Sequence, residues 1–178
     1  RRLSEVIGPD SGIRVDTLIV LAADREPEVS SALALYQERT QDTAIAARML
    51  GRMAGADRVM AAVPAPLQSE AKSALAGLDI LAIPPAYPQS LEPMVIERAK
   101  GTVATRVVSV ETALAALDAV REGKIQSSKI VTYISPAGEG RANLRVPMGT
   151  RFRDLFQKQG LAPRDQDKVI AGGPLRGF

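Results

Sequence analysis

Apolar and polar positions alternate between two rhythms along the first two-thirds of the chain. Thr17 to Ala22 (TLIVLA) is a short, nearly continuous apolar run, the signature of a strand covered on both faces. From Pro27 a helical pattern carries Leu33, Leu35, Ile45, Met49 and Met53 as far as Gly55, with the proline suited to a first turn and the glycine to a stop. Arg58 to Val63 reads as a second strand and Leu67 to Leu75 as a second helix. Asp79 to Ile83 reads as a third strand, closed by Pro84-Pro85, and Glu92 to Ala99 as a short helix. Val103 to Val110 reads as a fourth strand and Glu111 to Arg121 as a helix ended by Gly123. Strand and helix in regular alternation predict an α/β fold, a parallel sheet with covering helices.

From Lys124 the rhythm changes. Lys129 to Ile134 and Asn143 to Val146 read as strands around the glycine-rich stretch SPAGEGRA, a helix is predicted from near Thr150, and KVIAGG (Lys168 to Gly173) reads as a last short strand. That order predicts a small β-grasp-like α+β unit. The polar stretch REGKIQSS, Arg121 to Ser128, is the expected join, which divides the chain into residues 1–124 and 125–178.

Composition narrows the chemistry. With 178 residues and 46% hydrophobic positions the chain can bury a core, built mainly from Val, Ile, Leu and Ala because aromatics are only 3%. The same scarcity argues against an aromatic platform for single-stranded nucleic acid. The net charge of +3 is spread among acids, so no nucleic-acid partner is expected. Cys and His are absent, which excludes zinc, iron–sulfur ligation and thiol or imidazole catalysis within these residues. A hydrolase or transferase would have to use Ser, Lys or paired carboxylates, and no spacing marks such a set. No apolar run approaches the roughly 20 residues of a membrane helix, so no direct membrane insertion is expected. The chain opens Arg1-Arg2-Leu3 without Met or a recognisable signal peptide, which reads as an engineered truncation or a processed fragment.

Chemistry-bearing side chains gather where the first strand ends. LAADREPEV, Leu21 to Val29, brings Asp24, Glu26 and Glu28 to a strand–helix junction, and ligands of open α/β sheets bind at the carboxyl ends of strands. Further along stand AYPQSLEPMVIERAKG after the third strand, RVVSVETALAALDAV from the fourth strand into its helix, and LRVPMGTRFRDLF with AGGPLRGF at the end. In this order the four stretches resemble landmarks of RnfC, the peripheral subunit of the Rnf electron-transport complex. Its relatives include the flavin subunit of respiratory complex I and the NqrA subunit of the sodium-pumping quinone reductase.

The resemblance runs from about Asp16 to Phe178 and implies a Rossmann-like domain followed by an SLBB-like β-grasp domain. It also implies a function, passage of electrons from NADH through FMN to iron–sulfur clusters, whose cysteines lie on other parts of the full-length family protein. The implied partners are the other subunits of a membrane-bound redox complex, with NADH as electron donor. The implied location is cytoplasmic, peripheral at the inner membrane through those subunits. Carried onto this chain, the family's flavin-site residues are Asp24, Glu26, Tyr87, Gln89, Glu92, Ser109 and Thr112, with no catalytic or metal-binding residue.

Departures from the family pattern leave that FMN site incomplete. Leu21 stands where the family has an Asn, and a leucine offers no hydrogen bond. Ser90 and Leu91 replace two glycines, which narrows the floor of a flavin site. Only Gly8 and Gly12 are present where a glycine-rich loop would hold the phosphate, so either that loop lies upstream of Arg1 or the protein never had it. Each candidate also has a structural explanation. The acids suit a helix N-terminus, Tyr87-Pro88-Gln89 a turn, and Ser109 an N-cap with Thr112 at the third helical position. Capping and turn geometry account for Gly149-Thr150 and Gly172-Gly173-Pro174. Two readings stand: part of an electron-transfer subunit that is not catalytic by itself, or a flavin-free scaffold that docks redox partners or a small ligand.

Overall fold

The computed structural model describes residues 14–134, 140–160 and 166–178. Four strands, β1 (Thr17–Leu21), β2 (Arg58–Pro64), β3 (Asp79–Ile83) and β4 (Thr105–Ser109), form one parallel sheet in the order β3-β2-β1-β4. The helices are α1 (Ser31–Glu38), α2 (Thr40–Ala54), α3 (Gln68–Ala74), α4 (Glu92–Arg98), α5 (Val110–Glu122) and α6 (Phe152–Lys158). The fold is therefore α/β, a Rossmann-like sheet followed by a small antiparallel unit. β1 is buried along its whole length, as expected of a strand with both faces covered.

Alternate residues of the strands feed two cores. Leu18, Val20, Ala61, Val63 and Val108 meet α1, α2, α3 and α5 on one face, through Leu35, Leu50, Leu75, Leu114 and Leu117. Ile19, Leu21, Met60, Ala62, Ile83 and Val107 meet Val95 and Ala99 around α4 on the other. The chain runs outward from β1 to β3, then crosses the second face through α4 to reach β4 on the far side of β1. The switch point, where ligands of such sheets bind, thus lies between the carboxyl ends of β1 and β4.

The helical stretch after Pro27 is not continuous. Its first helical residue is Ser31, and the helix breaks at Arg39 (φ −131°, ψ 44°) before resuming at Thr40. Arg39 is held there by bonds from its guanidinium to Asp42 on α2 and Asp118 on α5. The face of α2 that enters the core is also unlike the expected one: Ala44, Ala46, Ala47, Leu50 and Gly51 are buried, whereas Ile45 and Met53 are exposed. Small residues face the sheet because helix and strand approach closely; a Cβ on Gly51 would lie 2.3 Å from Val59 Cγ2. Gly55 ends the helix in the left-handed conformation (φ 62°).

Beyond Gly123 the chain forms an antiparallel hairpin, β5 (Ser128–Ile134) with β6 (Arg141–Pro147), and then α6. Tyr133 packs edge-on against Phe156, which stacks on Phe152. The other hairpin face lies against the sheet unit: Ile130 joins the α1–α3–α5 core, and Arg145 pairs with Glu38 at 3.0 Å. The predicted strand at Lys168 to Gly173 does not form. Ala171 and Phe178 exchange backbone hydrogen bonds instead, and Gly177 N–H donates to Gly173 O, which closes the end of the chain into a compact turn. Most of the SPAGEGRA turn and the segment with Gly8 and Gly12 lie outside the described residues.

Candidate functional site

The loop from β1 to α1, residues 22–30, carries the acids to the switch-point end of the sheet, and each has an internal partner. Asp24 turns back onto the start of α1. Its Oδ1 accepts from Ala32 N–H at 2.8 Å and from Ser31 Oγ at 3.2 Å, and its Oδ2 accepts from Leu33 N–H at 3.0 Å. A helix N-terminus leaves such amides without partners, and a carboxylate satisfies both their hydrogen bonds and their partial positive charge. These are also the amides that would otherwise receive a bound anion.

Glu26 is buried although it sits on a loop, with a side-chain exposure of only 5%. Its Oε2 accepts from Leu175 N–H at 2.9 Å and its Oε1 from Arg176 Nε at 2.5 Å. The Arg176 hydrogen bond outweighs the effect of burial and, with the Leu175 amide, holds the Glu26 carboxyl below its ordinary range. Gly173 makes this approach possible: it has φ 107°, and a Cβ there would lie 2.4 Å from Glu26 Cγ. Glu28 adopts a left-handed backbone (φ 63°), and its carbonyl oxygen and carboxylate face Arg141 of β6. Next to it, Ser30 N–H donates to Thr132 Oγ1 at 3.0 Å, and Asn143 Nδ2 donates to Ser30 Oγ at 3.1 Å.

Among the described residues, no hydrogen bond joins the other candidates to Asp24 or Glu26. Tyr87, before a cis proline, is 45% exposed. Gln89 Oε1 accepts from Arg98 Nη2 at 2.6 Å, which directs it along α4. Glu92 is exposed in the first turn of α4. Ser109 caps α5, accepting from Thr112 N–H at 3.2 Å, and its hydroxyl bonds the Thr112 hydroxyl at 2.9 Å. Leu21 is sealed in the α4-side core. Ser90 is a contact that sequence reasoning missed: it is buried and donates to the Asp24 carbonyl at 2.6 Å, so the β-carbon that narrows the crevice also carries a brace for the acidic loop.

A cleft of about 190 Å³ lies elsewhere, between α1, α5 and the start of the hairpin, and is lined by Leu35, Arg39, Glu111, Leu114, Asp118 and Arg145 among others. None of Asp24, Glu26, Tyr87, Ser109 or Thr112 lines it, and its volume is below the ~300 Å³ at which drug-sized ligand sites begin. Its charges are already matched, Arg39 with Asp42 and Asp118 and Arg145 with Glu38. Among the described residues no group of His, Cys, Asp or Glu is placed to hold a metal ion, and no helix is long and apolar enough to cross a membrane.

Comparison with known proteins converges on one group. The chain is 26% identical over 92% of its length to the RnfC protein of the ion-translocating oxidoreductase complex of Erwinia tasmaniensis. It is 26% identical over 93% of its length to the protein of the same name from Pseudomonas aeruginosa. Against the corresponding protein of the proton-translocating ferredoxin:NAD(+) oxidoreductase complex of Clostridium ljungdahlii it is 25% identical over 97% of its length. The chain is RnfC-like over nearly its whole length. It spans 22%, 23% and 41% of the Erwinia, Pseudomonas and Clostridium proteins, respectively. No family model matches it. In this RnfC-like chain, then, the acidic loop sits at the ligand end of the sheet but is tied to α1, to the hairpin and to the terminal turn.

Proposed function

We propose that this RnfC-like chain contributes a flavin-free docking scaffold to an electron-transfer oxidoreductase complex. One observation carries the reading: the donors and acceptors at the switch point are matched to one another. Asp24 occupies the α1 amides, Glu26 occupies the Leu175 amide and Arg176, and Ser90 fills the Asp24 carbonyl. A phosphate brought to the Asp24 face of this loop would meet a carboxylate where it needs N–H groups, and Leu21 offers the flavin no polar contact. Among the described residues, these pairings at the switch point do not suit FMN.

The β5–β6 hairpin and α6 form the SLBB-like part of the scaffold, and other subunits of the complex are its partners. Peripheral attachment to a membrane through those subunits, on the cytoplasmic side, follows from the same reading. NADH, FMN and the iron–sulfur clusters belong to other parts of the assembly. Titration of the purified chain with FMN, followed by quenching of flavin fluorescence, tests this directly. No saturable quenching at micromolar concentrations is expected, and a yellow protein or a micromolar Kd would overturn the scaffold reading.

A further inference from the structure

The terminal turn is more than a bend that fills space. Gly173 to Arg176 aims two donors at one point, the Leu175 N–H and the Arg176 Nε–H, and each takes a different oxygen of Glu26. Such a fork suits any anion that presents two oxygens. The turn does not depend on Glu26 for its shape, because Gly177 N–H donates to Gly173 O at 2.9 Å and Ala171 and Phe178 bond each other twice at 3.0 Å. Among the described residues no hydrogen bond engages the terminal nitrogens of Arg176, whose side chain is 47% exposed, so donors remain for a third oxygen. The loop that supplies Glu26 leaves the sheet at the carboxyl end of β1, beside the switch point.

We infer that residues 173–176 form an anion receptor whose resident occupant is Glu26, and that inorganic phosphate competes with Glu26 for it. A carboxylate from outside could only replace Glu26 like for like. A phosphate dianion brings more charge and a third oxygen for the free Arg176 nitrogens, and so has the means to displace a tethered carboxylate. Exchange would release the β1–α1 loop from the terminal turn and couple anion binding to the opening of that end of the sheet. The inference does not rest on the docking role, because it concerns only the turn and its occupant.

Inorganic phosphate is the probe, titrated at constant ionic strength into the full chain while the Leu175 amide is followed by NMR. Glu26→Gln removes the resident charge and keeps the side-chain shape. Phosphate should bind this variant at least about tenfold more tightly than the wild type, and the added change Arg176→Ala should abolish the response. A folded Glu26→Gln protein whose Leu175 amide does not respond saturably overturns the inference, as does a response that survives Arg176→Ala. If Glu26→Gln loses the protection of the β1 amides, wild type and Arg176→Ala are compared instead. A Leu175 response confined to wild type then supports the receptor, and an identical or absent response overturns it.

Discussion

Removing the Asp24 carboxylate separates a structural role from a ligand-binding one. In Asp24→Ala the amides of Ala32 and Leu33 and the Ser31 hydroxyl lose their acceptor together. Loss of an N-terminal cap costs about 0.5–2 kcal/mol, and a hydrogen bond to a charged group contributes about 1.5–3 kcal/mol. Asp24 is half-buried, so water reaches the vacated amides in part, and the combined loss should be about 1.5–3 kcal/mol. For a chain of this size that lowers Tm by roughly 3–12 °C. Asp24→Asn keeps one acceptor oxygen but loses the charge, and should cost about 1 kcal/mol. Urea denaturation followed by circular dichroism gives both values, with FMN titration run on the same samples. A change below about 0.5 kcal/mol for Asp24→Ala would refute the capping argument, because that is the range of a surface substitution with no special contact.

The Arg39 network gives a second set of expectations. Arg39→Ala leaves Asp42 and Asp118 without their shared partner at the α1–α2 break, and should cost about 1–2 kcal/mol, measured by the same denaturation. Arg39, with Arg121 also acting on Asp42, holds both carboxyls below their ordinary value of 3.8. Their contribution is therefore fully present above that value and is lost as pH falls through the lower folded-state values. Stability measured from pH 6 down to pH 2 should drop in that acid range in wild type and less steeply in Arg39→Ala. Ser109→Ala removes the exposed α5 cap and should cost about 0.5–1 kcal/mol, with no effect on any flavin titration. Gly173→Ala should detach the terminal turn, read as faster amide exchange at Leu175 with β1 unchanged, because its Cβ would overlap Glu26.

What is readable in the sequence and what is not divides along physical lines. β1 is one residue shorter than its apolar run and is legible because a strand buried on both faces is apolar almost throughout, and β3 forms over the expected residues as a partly exposed edge strand. The buried face of α2 is not the one its large side chains suggest, because such side chains mark a core only when space is available. This helix lies so close to β2 that alanines and Gly51 go inside, and Ile45 and Met53 stay outside. The break at Arg39 is invisible for a different reason: besides Asp42 close by, it is held by Asp118, 79 residues away, and local periodicity carries no trace of that partner. The same holds for the acidic loop. Its composition marks it as charge at the ligand end of a sheet, and Asp24 at a helix start is legible from helix electrostatics alone. The fate of Glu26 is decided 150 residues later, by the amide and guanidinium of a turn whose only advance signal is a glycine pair before a proline. A crevice acid therefore marks a ligand site only if the fold leaves it unpaired, and here the parts of the chain that supply the partners are the start of α1, the hairpin and the terminal turn.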